Sequence, residues 1–311
     1  MSALRNGSPR EGARLVLDIG AAARDTGFFA IVNHGIPEFL SERAFAAAER
    51  FFALPPAEKE RVAMDRTPYY RGYRGPAAER SVSSLPGDLT ESFNIGRDLE
   101  ADDPDIVAGA PFVGVNQWPD LPGFRETAMT YFRAMSSLAV LVQRAFALDL
   151  SMSPDFFVPR CDRPLTTLRF MRHLPGAHSG QFNDVLYGGG AHSDWGIFSL
   201  LAVDGVGGLE IQSADGVWTD VEPVIDALIC NVGDCLMRWS NDRYQSRPYR
   251  VVNRADRPGH AISFSADPNP DTLIACLPTC LDEDEAAKYP PISYAEYQRE
   301  RFASKSVTFA G

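Results

Sequence analysis

Histidine and cysteine are both scarce in this 311-residue chain, with five of each. The cysteines, Cys161, Cys230, Cys235, Cys276 and Cys280, are odd in number, scattered and without a C-x2-C pair. That excludes a zinc-ribbon site and a disulfide framework, and it suits free thiols in a reducing cytosol, so a cytoplasmic location is expected. No run approaches the roughly 18 to 20 apolar residues that span a bilayer. The polar start, Met1 to Gly12, has no apolar h-region, so no secretory signal is expected. Clusters of Lys and Arg are lacking too, and the net charge is −11. Nucleic acid and anionic membranes are therefore not expected as partners. What is present is 45% hydrophobic residues, ample for a large buried core.

The chain changes character about halfway. Leu40, Ala44, Ala47, Ala48 and Phe51 recur at spacings of three and four behind Pro37, and Pro55-Pro56 closes the run, which predicts a helix. Tyr131, Met135, Leu138, Val142 and Ala145 mark a stronger helix within 124–150. From about Leu165 short β-rich runs take over, at 165–171, 197–202, 208–212, 217–220, 227–231, 235–239, 249–253, 261–264 and 272–275. Turns such as Asp204-Gly205, Asp215-Gly216 and Gly233-Asp234 separate them. The gaps are too short for βαβ crossovers, so the runs predict an antiparallel sandwich or barrel. The expected class is α+β: a helical region over 1–160, a β core over 161–280 and a tail with a helix over 281–311, all one structural unit.

The sharpest chemical feature is His192-Ser193-Asp194, behind Gly188-Gly189-Gly190. In an extended segment, residues two apart point to one face, so this imidazole and carboxylate can converge on one metal ion. Two His and one carboxylate form the facial set that leaves positions open on non-haem Fe(II). A lone H-x-D is weak evidence, since chance produces it in many chains.

Context strengthens it. Thr26-Gly27-Phe28-Phe29, Val32-Asn33-His34-Gly35-Ile36, Thr90-Glu91-Ser92-Phe93-Asn94 and Asn116-Gln117-Trp118-Pro119 stand in order before the H-x-D. Gly207-Gly208-Leu209-Glu210, Asn231-Val232-Gly233-Asp234, Asn241-Asp242 and Arg250-Val251-Val252-Asn253 follow it. In these stretches the chain resembles the isopenicillin N synthase-like branch of the Fe(II)/2-oxoglutarate oxygenases, from about residue 15 to 300. The resemblance implies a double-stranded β-helix (jelly-roll) core with a helical N-terminal part. It also implies an oxidoreductase, dioxygenase-like, that tailors a small molecule in specialised metabolism.

Three positions depart from that pattern. The histidine that the resemblance places before Arg-Val is Tyr249, with 54 residues between it and Asp194. The Arg-x-Ser that holds the distal carboxylate of 2-oxoglutarate falls on Gly259 and Ala261. Fe(II) on His192 and Asp194 thus stays open, and 2-oxoglutarate is not expected as co-substrate. Three readings of Tyr249 stand side by side: a phenolate ligand, a neutral hydrogen-bonding wall beside a two-ligand iron site, or a residue of a metal-free site. Arg172 and Arg257 are the cations that compensate for the lost arginine, if any do. His173 falls near a pocket position and is a candidate acid/base group with His192, Asp194 and Tyr249. Candidate substrate contacts are Tyr73, Phe93, Tyr187, Trp195 and Phe264, with Tyr69, Tyr70 and Arg71. The expected function is an atypical oxidoreductase with a degenerate facial triad. Its alternatives are a metal- and 2-oxoglutarate-independent cyclase, isomerase or lyase in the same cavity, and a non-catalytic small-molecule-binding protein.

Overall fold

The computed structural model describes residues 1–76, 88–175, 189–224, 226–252, 254–281 and 286–304. Eleven strands build the part that carries the site: β1 (Phe28–Ile31), β2 (Gly72–Arg74), β3 (Thr90–Ile95), β4 (Thr167–His173), β5 (Gly189–His192), β6 (Phe198–Val203), β7 (Leu209–Gln212), β8 (Trp218–Asp220), β9 (Leu228–Val232), β10 (Tyr249–Val251) and β11 (Gly259–Ala266). They form a seven-stranded sheet in the order β1-β9-β6-β11-β4-β3-β2 and a four-stranded sheet in the order β5-β10-β7-β8. Every pairing among them is antiparallel. Two facing sheets with jumps between them are the jelly-roll arrangement, and with the helices they make the α+β class that the strand spacing predicts.

Helix Phe124–Asp149 buries Ala128, Tyr131, Met135, Leu138, Val142 and Ala145, the stripe that its spacing predicts. Its partner is the outer face of the large sheet, where Phe132 meets Phe264 and Phe146 meets Phe198 edge to face or tilted, at 5.5 and 5.6 Å between ring centres. Alternation along β11 then sends Ile262 and Phe264 outward to the helices and Ala261, Ser263 and Ser265 inward to a cavity between the sheets. Helix Glu38–Phe52 packs on the same outer side, beginning after Pro37 as expected.

Several elements differ from expectation: β2 and β3 fall inside the region expected to be helical, 1–160, yet they extend the large sheet beside β4. The run 235–239 is a helix, Asp234–Trp239, and not a strand. Its β-like composition reflects burial of Cys235, Leu236 and Trp239, which a short apolar run cannot distinguish from a strand. The polar N-terminus carries an unexpected helix, Pro9–Asp25, opened by a capping box in which Ser8 and Glu11 satisfy each other's backbone N–H groups.

Candidate active site

His192 ends β5, and Tyr249 begins β10 directly opposite it, so the pair is fixed by sheet register. Their rings lie 4.5 Å apart, centre to centre. The Nδ1 atom of His192 is 2.7 Å from the Gly190 carbonyl oxygen. A carbonyl only accepts, so Nδ1 carries the proton and Nε2 is left as the lone-pair nitrogen of the neutral ring. Asp194 follows in the turn after β5, where its carbonyl accepts from the Asp234 N–H at 2.8 Å. The Asp234 helix approaches so closely because of Gly233: a Cβ there would lie 2.2 Å from the Gly196 carbonyl oxygen.

The carboxylate of Asp194 is held on both oxygens. Tyr249 donates its hydroxyl to Oδ1 at 3.0 Å, and Asn231 on β9 donates its amide to Oδ2 at 2.8 Å. His192 Nε2 lies 3.8 Å from Oδ1. His192, Asp194 and Tyr249 all line one cavity of about 270 Å³. A second wall of that cavity is polar: Arg71, Asn94, Thr167, Ser199, Ser265 and Asp267. Burial lowers the Arg71 guanidinium to about 10, although Asp267 offsets part of the shift. Burial raises Asp267 to about 6, against the hydrogen bonds it receives from Tyr294 and Ser265.

Other expected site residues divide clearly. His173 is buried at the far end of the cavity, with Nδ1 3.0 Å from the Thr90 hydroxyl. Trp195, Tyr69, Tyr70 and Arg71 line the cavity as well. Tyr73, Phe93 and Phe264 do not: the strand alternation points them to the outer side. Tyr73 donates to Glu91, Phe93 packs on Phe51 and Phe124, and Phe264 packs on Phe132. Tyr187 lies outside the described residues. Arg172 and Arg257 flank a shallow groove on the outer side, and Arg172 pairs with Glu91 at 3.0 Å, so neither replaces the lost arginine inside. Sequence reasoning passes over Asn94 and Ser263. The signal for both is the period-two row that β3, β4 and β11 share once their register is known.

Two sheets in a jelly roll with an H-x-D lining the cavity between them define a non-haem oxygenase architecture. Residues 1–121 match the N-terminal region of the non-haem dioxygenase in morphine synthesis, and residues 164–264 match the 2OG-Fe(II) oxygenase superfamily. A 2-oxoglutarate-Fe(II) type oxidoreductase of Emericella nidulans is 38% identical over 292 residues, covering 92% of this chain and 83% of its own. Kihadalactone A synthase of Citrus sinensis is 34% identical, covering 90% and 85%. Among solved structures, a full-length Neurospora crassa protein in complex with α-KG and thymine superposes with a TM-score of 0.86 at 27% identity, covering 97% and 95%. This chain belongs to the 2OG-Fe(II) oxygenase superfamily, a family of oxidoreductases.

The family's metal and co-substrate can be tested against these residues. A facial Fe(II) site takes three protein donors. His192 Nε2 and Asp194 Oδ1 supply two, while the third position holds a phenol whose hydroxyl is spent on Asp194 itself. Among the described residues there is no group of three His, Cys, Asp or Glu side chains able to hold a metal ion. At the co-substrate end, Gly259 and Ala261 present no charge and no hydroxyl, and a Cβ on Gly259 would lie 3.3 Å from Val206 Cβ. The residues present fit neither the three-ligand iron site nor the Arg-x-Ser clamp of 2-oxoglutarate.

Proposed function

We propose that this chain converts a small molecule in the cavity by proton transfer at His192, Asp194 and Tyr249, as an atypical member of its oxidoreductase family that does not use 2-oxoglutarate. The observation that carries the reading is the Tyr249 hydroxyl on Asp194 Oδ1 at 3.0 Å. It ties up a carboxylate oxygen at the point where a facial metal would need it. His192, with its Nδ1–H anchored on Gly190, offers Nε2 to accept a proton from a bound molecule. Asp194 lies close enough to stabilise the imidazolium that results, and Asn231 keeps the carboxylate in place. Tyr249 donates its proton to an oxygen on which negative charge develops when that oxygen takes the place of Asp194 Oδ1 as its acceptor. Such groups suit an isomerase, cyclase or lyase. Plant relatives named as synthases of kihadalactone A and azadirone support a tailoring step in specialised metabolism.

A second reading keeps a two-donor iron site, favoured by His192 Nε2 and Asp194 Oδ1 lying on one side of the cavity at 3.8 Å. Anaerobic equilibrium dialysis of Fe(II) into metal-stripped protein, with and without 2-oxoglutarate, separates the two. The expected result is no binding above a His192→Ala control and no effect of 2-oxoglutarate. One iron per chain without 2-oxoglutarate dependence supports the second reading. One iron and one 2-oxoglutarate per chain would overturn both.

A further inference from the structure

We propose that the ligand of this cavity is a monoanion on an apolar body, a carboxylate of medium length, with its charge at Arg71 and Asn94 and its apolar end where the family holds 2-oxoglutarate. The inference rests on reading the cavity as a small-molecule site. It stands on three observations from opposite ends of one space.

The first is Asn94. It is fully buried, lines the cavity, and neither its amide nitrogen nor its carbonyl oxygen has a hydrogen-bond partner among the described residues. Buried amides are almost always satisfied, so a side chain with both atoms unspent calls for a polar ligand group. The second is Arg71, also buried in the cavity wall, whose Nε has no partner among the described residues. Its Nη1 makes only long contacts, to the Tyr70 carbonyl at 3.3 Å and to the Thr167 hydroxyl at 3.4 Å. Asp267 shares this wall, but its oxygens accept from Tyr294 and Ser265, and among the described residues it forms no ion pair with Arg71. A buried guanidinium with free donors is a receptor for a carboxylate. Arg169, opposite Asn94 on β4, lines the same end and adds to its positive field.

The third observation is the far end. Val203, Val206, Val251 and Ala261 line it, with the carboxylates of Asp88 and of Asp204, which accepts from the His260 N–H. His173 closes it, paired across the strands with both Gly259 and Thr90. Among the described residues no Lys or Arg lines that end, so a dicarboxylate is disfavoured and an apolar tail is favoured. Register gives the length: Asn94 and Ser263 flank Arg169, while Gly259 and Thr90 flank His173, four residues further along β4. At about 3.3 Å per residue the two rows are about 13 Å apart. An extended chain of about eight carbons fits between them, and it passes His192 and Tyr249 on the facing sheet.

The test is isothermal titration of the full chain with octanoate, octanamide and 2-oxoglutarate. A lost charge-assisted contact in a dry site predicts that octanoate binds about ten to a hundred times more tightly than octanamide. Arg71→Met should remove most of that preference, while Arg71→Lys should restore part of it and confirm that the wall still folds. Ala261→Phe, at the other end, should weaken octanoate and spare acetate. Equal binding of octanoate and octanamide, no binding of octanoate, or a preference undiminished by Arg71→Met overturns the inference and leaves the proton-transfer reading intact. Binding of 2-oxoglutarate ahead of octanoate overturns both.

Discussion

Replacing Tyr249 by histidine is the most informative single change, because it restores the donor that the facial set lacks. The imidazole would enter at a position already paired with His192 across β5 and β10, and the hydrogen bond to Asp194 Oδ1 would go. Fe(II) binding near one per chain is therefore the expected gain. Turnover of 2-oxoglutarate is not expected, since Gly259 and Ala261 still offer its distal carboxylate nothing. An enclosed guanidinium–carboxylate contact is worth about 3 to 5 kcal/mol, a factor of several hundred or more in affinity. Closing that deficit takes Gly259→Arg and Ala261→Ser together. Val206→Ala must accompany them, because Val206 stands 3.3 Å from a Cβ at 259. The assay is anaerobic titration of 2-oxoglutarate into each iron-loaded variant, followed by its decarboxylation in air. The single variant should bind it several hundred times more weakly than the combined one. Robust decarboxylation by Tyr249→His alone would refute the placement of the co-substrate contact.

Two further predictions concern buried charge. Burial holds Asp267 at about 6 in the folded protein, so the fold keeps a proton that the unfolded chain releases near pH 4. Its contribution is complete below about pH 4 and is lost as pH rises through about 6, by about 3 kcal/mol in all; urea unfolding of Asp267→Asn across that window should show the slope removed, and an unchanged slope would sink the assignment. Lys59 and Glu91 form an ion pair with both side chains buried, and Tyr73 and Arg172 also hold Glu91. Lys59→Met should cost about 3 kcal/mol, the low end for a broken buried pair because Arg172 remains; a loss under about 1 kcal/mol in the same assay would show that Arg172 alone satisfies Glu91.

Much of this molecule is legible in its residues, and the failures have physical causes. The apolar stripe from Tyr131 to Ala145 announces its helix because only one face of that helix meets the sheet. His192 and Asp194 can be placed together because a two-residue offset in a strand fixes direction. Tyr249 joins them through cross-strand register, which no local pattern contains. Aromatic residues mislead: Tyr73, Phe93 and Phe264 belong to strands that border the cavity, yet the pleat turns each to the helices. One residue of phase decides between lining a site and filling a core. Asn94, next to Phe93, has the opposite phase and faces inward. The helix Pro9–Asp25 is announced by Ser8-Pro9 and Glu11, a capping signature that hydrophobic periodicity overlooks.

The edge strand β1 bears on how the molecule is made. It pairs residue by residue with β9, Phe28 opposite Asn231 and Ile31 opposite Leu228, and Phe28 also packs edge-on against Tyr249 at 6.0 Å. The beginning of the chain must therefore wait for a partner about 200 residues later, and closing so long a loop slows folding. On the ribosome the first helix and strand emerge long before anything can cover them. Until β9 arrives, the edge of β1 is open to pairing with another chain. Loss of the N-terminal segment would hence be felt at the Asp194 carboxylate, through the strand that carries its amide partner, as well as in solubility.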